Sequence, residues 1–443
     1  MVPPRIRNFP QDVPILGRRR FLQRLSGTAA ALAALPLAAE GSPLRPPRRL
    51  EDVVAGPAGS QSGEETFWAQ VKEQFPVRED LVLVNAANLC PSPWMVQQRV
   101  FELTRDVDGD ASFTNRAKFD ALRERARASL AARLGADPEE IALVRNTSEG
   151  NNVVISGLEL AAGDEVVIWD QNHPTANVAW DVRARRYGYR VVRVATPERP
   201  ISPDDLLRPF LEAFTPSTRV VACSHVSNTS GQRLPIEALC AAARERGIVS
   251  LVDGAQTFGC YPVELHRMGC DFYTGSSHKW FCGPKEVGVL YVRSTLAERL
   301  YPLIVGVGWE GAERSGAKRF ETLGQRDDAR VAAMGETVAF HEMVDPLRTC
   351  ARVQVLADAV KDGLRLRAPG VSFTTPLARE LSWGVVVFRL PGLDPATALQ
   401  ALYERGVGCA VMGTSIRFSP HIYNTLSDVE RAVAAVTDLA AGR

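Results

Sequence analysis

The sequence predicts an α/β fold, on three observations. Short apolar runs without polar alternation recur along the body of the chain, helical patterns separate them, and 443 residues with 45% hydrophobic and 23% charged side chains supply a large core and a smaller second one. Runs of this kind belong in a mostly parallel sheet covered on both faces, and single cores stop growing at roughly 250–300 residues.

In order, strands are predicted at residues 81–84, 165–169, 218–223, 247–252 and 287–292, with helices at 117–134, 174–186 and 236–246. Past residue 329 the pattern changes to one long helix over 329–361, strands at 383–389 and 415–418, and a last helix. That helix carries the box Ser427-x-x-Glu430 and an apolar face of Val429, Val433, Val436 and Ala440. The expected organisation is a large domain over 64–324, its first residues packing on a small α+β domain over 325–443.

The N-terminus differs from this body. A charged stretch ending Gly17-Arg18-Arg19-Arg20-Phe21-Leu22 precedes an apolar run over residues 25–39, which is shorter than the roughly twenty residues a spanning helix needs and ends in small residues at Ala38 and Ala39. Residues 1–39 therefore read as a cleaved signal peptide and 40–63, rich in Pro, Gly and Ser, as a linker. The Arg18-Arg19-x-Phe21-Leu22 run resembles a twin-arginine export signal. The resemblance implies passage through the twin-arginine translocation machinery in the folded state, a periplasmic or secreted location and no stable membrane anchor.

With 52 Lys+Arg against 51 Asp+Glu the net charge is +1, and the body has no basic block, which argues against nucleic-acid partners and a polybasic membrane surface. The eight cysteines form no CxxC pair and no zinc-type Cys/His interval, so no metal is expected. A small molecule is the expected substrate.

In an open parallel sheet, ligands collect beyond the carboxyl ends of the strands, so polar residues directly after apolar runs mark the site. Four clusters qualify: Arg145-Asn-Thr-Ser-Glu-Gly-Asn151, which opens a helix and offers hydroxyls and amide N–H groups to an anion; Ser224-His-Val-Ser-Asn228; Asp253-Gly-Ala-Gln256; and Ser276-Ser-His-Lys279. A carboxylate at a strand end, a lysine and a hydroxyl-rich anion cradle together are what pyridoxal phosphate requires. Each feature has a plainer reading: Asp253, Thr147 and Ser148 as turn or helix-cap residues, His173 as a cap for the next helix, Arg417 as a structural ion pair. A Gly306-x-Gly308-x-x-Gly311 run matches a dinucleotide fingerprint but precedes no convincing helix.

From about Asn85 onward the sequence resembles class V of the fold-type-I aminotransferase superfamily, which includes cysteine desulfurases and isopenicillin N epimerases. The motifs are Asn146-Thr-Ser-Glu-Gly150, His225-Val-Ser-Asn228, Asp253-Gly-Ala-Gln256, Ser276-Ser-His-Lys279 and Arg417-Phe-Ser-Pro-His-Ile-Tyr-Asn-Thr425. The resemblance implies a seven-stranded-type sheet, a homodimer and a pyridoxal-phosphate enzyme. It makes Lys279 the Schiff-base lysine, Asp253 the partner of the pyridine nitrogen and His173 the residue stacked on the ring. Thr147, Ser148, Ser276 and His278 would hold the phosphate, Gln256 and Asn228 would lie near the phenolic oxygen, and Arg417 with Asn85 would bind the substrate. Two departures stand out: Gly324-Gln325-Arg326-Asp327 replaces a Gly-Thr that reaches the neighbouring subunit's phosphate, leaving Gln325 to donate there, and Cys409 sits in a compact segment close to Arg417, unlike a desulfurase cysteine on a mobile loop. Both departures resemble the epimerase-like branch. The expected activity is at the α-carbon of an amino acid or amino-acid-bearing compound, with periplasmic maturation of a peptide siderophore such as pyoverdine as one setting.

Overall fold

A computed structural model of the chain describes residues 61–306 and 316–442. The signal-peptide reading of 1–39, most of the linker, and Gly308 and Gly311 of the glycine run lie outside the described residues.

The described residues form thirteen strands in chain order: β1 (Val82–Leu83), β2 (Ile141–Val144), β3 (Glu165–Trp169), β4 (Arg190–Val194), β5 (Thr218–Ser224), β6 (Val249–Asp253), β7 (Phe272–Ser276), β8 (Gly288–Val292), β9 (Ser372–Phe373), β10 (Val386–Arg389), β11 (Val407–Gly408), β12 (Ala410–Met412) and β13 (Ser415–Phe418). Seven of them form one sheet in the order β2-β8-β7-β6-β5-β3-β4. Neighbours from β4 to β7 pair in parallel, and β8 runs antiparallel to both β7 and β2. Helices Lys118–Leu134, Thr147–Gly157, Pro174–Tyr187, Pro203–Ala213 and Ile236–Glu245 connect and cover it. Strands β2, β3, β7 and β8 are buried along their whole length, which is why β2, β3 and β8 read as apolar runs without alternation. A second, antiparallel sheet, β12-β13-β10-β9, carries the helices Pro346–Arg367 and Leu426–Ala440, whose Leu356, Val360, Val429 and Val433 pack on its Phe388 and Phe418.

Several expected elements differ. The run at 81–84 is a two-residue strand pairing with β11, not a member of the large sheet. Strands β4 and β7 form where none was predicted: β4 is an edge strand with exposed Arg190 and Arg193, and β7 has Thr274 and Gly275 inside it. The single helix expected over 329–361 is three, Asp328–Ala332, Met334–Val344 and Pro346–Arg367. Pro346 has no N–H to continue the preceding helix, Asp345 turns to a φ of +76°, and its carboxylate accepts from the amides of Leu347 (2.8 Å) and Arg348 (3.1 Å) to start the next one. The last helix is capped by Thr425 with Asp428, not by Ser427 with Glu430, because the chain enters the helix two residues earlier; of the expected face Val429, Val433 and Val436 are buried and Ala440 is exposed. Among the described residues no helix is long and apolar enough to cross a membrane.

Candidate active site

The carboxyl ends of β2, β3, β6 and β7 open on one cleft of about 290 Å3, lined by Thr147, Ser148, His173, Asp253, Ser276, His278 and Lys279 among others. Asn146, after β2, caps the Thr147–Gly157 helix by accepting from the Glu149 amide at 3.0 Å. The Thr147 amide donates to Ser276 Oγ at 2.9 Å, and the two hydroxyls share a hydrogen bond of 2.8 Å, so the helix start is clamped to the end of β7. Gly150 permits that approach: a Cβ there would lie 2.8 Å from Thr274 Cγ2. The result is a helix N-terminus lined with hydroxyls, an arrangement that favours a phosphate-type anion.

Asp253, the last residue of β6, is buried, and both of its oxygens accept hydrogen bonds. Oδ2 accepts from Asn151 Nδ2 at 2.8 Å and Oδ1 from the Ala255 amide at 2.9 Å, while Asn151 Oδ1 accepts from Thr274 Oγ1 at 2.8 Å. Past β7, the fully buried Ser277 anchors the next turn by donating to the Pro284 and Val287 carbonyls. That turn presents Lys279, which is half-buried and open to solvent through the cleft, with protein on its other sides. Among the described residues no carboxylate pairs with it within 4.0 Å. Burial pushes its amine below the usual lysine range, Asp253 opposes that shift and Arg417 adds to it.

His173 is the N-cap of the Pro174–Tyr187 helix, and its Nδ1 accepts from the Thr175 amide at 3.3 Å. The capping reading therefore holds, and the same ring also lines the cleft. Burial and the positive charge of Lys279 lower its pKa, and Arg417 does so less strongly, against Asp253. His278 is pushed down to about 4 by burial first, then by Lys279 and Lys285, so it is neutral at physiological pH.

Arg417, in the middle of β13, is 3% exposed. Nη2 donates to Asn85 Oδ1 and Nη1 to the Asn228 carbonyl, each at 3.1 Å, while buried Nε has no partner. No carboxylate pairs with it among the described residues, which removes the structural ion-pair reading, and burial pushes its pKa down to about 10. Such a guanidinium calls for an anion from outside the chain, and a carboxylate fits its planar fork.

Arg417 and Asn85 hydrogen-bond to each other and do not line the cleft, and three further expected site residues sit elsewhere. Gln256 is buried with its amide committed, donating to the Ala87 carbonyl at 3.1 Å and accepting from Trp280 Nε1 at 2.7 Å. Asn228 serves Arg417 through its carbonyl. Neither lines the cleft. Gln325 is exposed, accepts from Arg116 Nη2 at 2.6 Å, and borders a separate cavity of about 770 Å3 with Phe113 and Val305. Cys409 is buried beside Arg417, and burial pushes its thiol up to about 12 despite that cation. Asn151, which orients Asp253, was not singled out from the sequence; it lies four residues after Thr147 and so on the same helix face, a signal local spacing could have supplied.

An anion cradle at a helix start, a strand-end carboxylate oriented by two donors and an amine kept free of ion pairs fit one group in particular, pyridoxal phosphate, and the large sheet is that of the fold-type-I enzymes that use it. The chain belongs to the aminotransferase class-V family, whose profile matches residues 97–432. It is 32% identical to the isopenicillin N epimerase of Streptomyces clavuligerus over 391 residues, covering 84% of this chain and 98% of that protein. It is 30% identical to a cysteine desulfurase of Klebsiella pneumoniae subsp. pneumoniae over 359 residues, 72% of this chain and 82% of that one. Among solved structures it resembles the cysteine desulfurase CsdA of Escherichia coli, with a TM-score of 0.75, 26% identity and coverage of 85% and 98%. The cystine C–S lyase C-DES shares the fold at a TM-score of 0.75, 22% identity and coverage of 82% and 99%.

Proposed function

We propose that this enzyme removes the α-proton of a substrate carrying a free amine and an α-carboxylate, and that the outcome is epimerisation or amino-group transfer rather than desulfuration. The observation that carries the reading is Arg417, a buried guanidinium without an acidic partner among the described residues, close enough to Lys279 for its charge to help lower that amine's pKa.

Pyridoxal phosphate, when bound, supplies the electron sink that makes a substrate Cα–H acidic. Thr147, Ser148, Ser276 and His278 would hold its phosphate, and Asp253 would face its ring nitrogen. Arg417 and Asn85 bind and orient the substrate carboxylate. Lys279 Nζ, whose desolvation favours the neutral amine, takes the proton from Cα; a proton delivered to the opposite face of Cα completes epimerisation, whereas one not returned to Cα leaves the 2-oxo acid of amino-group transfer. His173 Nδ1 is occupied by the Thr175 N–H, so its Nε2 faces the cleft chemistry as a neutral N–H donor.

Epimerisation is supported by likeness over nearly the whole length of two proteins named isopenicillin N epimerase, the second from Amycolatopsis lactamdurans at 32% identity and 99% coverage. Desulfuration needs a reactive thiolate, and the buried, high-pKa thiol of Cys409 is a poor one. Export through the twin-arginine pathway rests on the Arg18-Arg19-x-Phe21-Leu22 run, and a peptide siderophore such as pyoverdine is the substrate class we attach to it. Homodimerisation is supported by exposed Phe113 (90%) and Val305 (61%) around Gln325.

Incubation of the holoenzyme with amino acids and amino-terminal peptides in deuterated water tests the reading. Deuterium at an inverted Cα, or a 2-oxo acid as product, is expected, and both should vanish in Lys279→Ala. Release of sulfide and alanine from cysteine, with neither inversion nor a 2-oxo acid from any amino acid, would overturn it.

A further inference from the structure

Behind the lysine turn the structure gathers three side chains that the reaction leaves unused. Cys90 Sγ, Cys282 Sγ and a ring nitrogen of His421 all lie within 4.8 Å of one another. They are 1%, 0% and 0% exposed. His421 Nε2 donates to the Trp280 carbonyl at 2.7 Å, which leaves Nδ1 as the lone-pair nitrogen, and that atom is buried without a partner. A histidine whose N–H is held by a backbone carbonyl and whose other nitrogen is bare has the hydrogen-bond pattern of metal-bound histidines. Cys282 sits at a φ of +52°, a left-handed conformation rare for a side-chain-bearing residue, pinned by its amide on the Lys279 carbonyl at 2.9 Å. The Tyr423 hydroxyl, 3.5 Å from Cys90 Sγ, stands at the edge of the cluster as a fourth donor.

We propose that Cys90, Cys282 and His421 form a buried site for a thiophilic divalent cation, zinc by its chemistry. Two thiols and an imidazole are the donor set such an ion prefers. Charge balance selects the divalent form. Binding displaces one proton from each thiol, so Zn2+ with two thiolates and a neutral imidazole is uncharged, whereas a monovalent ion would leave a net negative charge where no water reaches. The three ligands come from segments far apart in sequence, so no local spacing announces them. Cys90 lies five residues after Asn85, Cys282 three after Lys279 and His421 four after Arg417, so the ion would tie together the segments that carry the lysine and the carboxylate-binding pair.

The test uses holoenzyme produced in zinc-supplemented medium and desalted. One zinc per chain is expected by elemental analysis, released to a colorimetric chelator on denaturation, with all eight cysteines then titrating as free thiols. Cys282→Ser and His421→Gln should lose the metal while keeping the cofactor's absorbance. Should either fail to fold, wild-type protein produced with cobalt should show the visible bands of a thiolate-bound tetrahedral ion, at longer wavelength than the cofactor absorbs. Wild type without stoichiometric metal, copper in place of zinc, equal metal in both variants, or two missing thiols from a Cys90–Cys282 disulfide would each overturn the proposal.

Discussion

Asn151 offers the sharpest test of how the site is held. Its Nδ2 donates to Asp253 Oδ2 and its Oδ1 accepts from Thr274 Oγ1, both at 2.8 Å and both buried. Asn151→Ala removes a hydrogen bond to a charged group, about 1.5–3 kcal/mol, and a neutral one of about 1 kcal/mol. The cofactor-free protein should therefore lose about 2–4 kcal/mol, which for a chain of this size lowers Tm by roughly 2–5 °C. With one of its two orienting donors gone, Asp253 should hold pyridoxal phosphate at least about tenfold more weakly, a difference of about 1.4 kcal/mol. Asn151→Asp keeps the shape but sets a second carboxylate against Asp253, so at pH 8 it should be worse than alanine. Thermal unfolding of cofactor-free protein and absorbance-monitored cofactor titration read both effects. If Asn151→Ala matches wild type in Tm and Kd, or Asn151→Asp surpasses it at pH 8, the oriented-carboxylate reasoning fails.

Further expectations follow from neighbouring features. Arg417→Lys keeps the charge but loses the planar fork and its bonds to Asn85 and Asn228, so KM for the substrate should rise by about 10- to 100-fold with a smaller change in kcat; an unchanged KM would place the carboxylate elsewhere. Gly150→Val forces a Cβ to within 2.8 Å of Thr274 Cγ2, which should cost about 1–3 kcal/mol in urea unfolding and weaken inorganic phosphate binding by cofactor-free protein. Burial depresses the pKa of His225 from 6.5 to about 3, with Arg233 adding to the shift, so below pH 6.5 the unfolded chain binds the proton first and stability falls. At pH 5 that loss is about 2 kcal/mol, and His225→Asn should flatten the dependence of the urea midpoint on pH between 6.5 and 5. Cys409→Ala should leave α-proton exchange within about threefold of wild type, since its thiol is buried and protonated; loss of activity would restore a role for that sulfur.

The elements most legible in the sequence are those whose environment is uniform. Strands β3 and β8 are buried throughout and β5 everywhere but Arg219, so their central residues form apolar runs, and the Lys118–Leu134 helix ends on Gly135 at a φ of +59°. Strand β4 escaped because an edge strand half in water carries Arg190 and Arg193 among its valines, and β7 because Thr274 and Gly275 are chosen for contact with Asn151 and Phe258 rather than for strand propensity. The long helix was overextended because apolar periodicity continues across Asp345-Pro346, where a missing N–H ends it.

The site divides the same way. Lys279, Asp253, Thr147, Ser276 and Arg417 were legible because each follows or sits in an apolar strand within a short motif, and strand ends of a parallel sheet point to one side. By itself the sequence determined the α/β class, the motif order and, through resemblance, the cofactor. Only the tertiary structure decided that Arg417 has no acidic partner among the described residues, that Gln256 spends its amide on Trp280 and Ala87, that Asn151 orients Asp253, and that Cys90, Cys282 and His421 meet. The reason is physical: periodicity and capping act over a few residues and are written locally, whereas partnership between buried polar groups depends on which distant segments the packed sheet brings within hydrogen-bond reach.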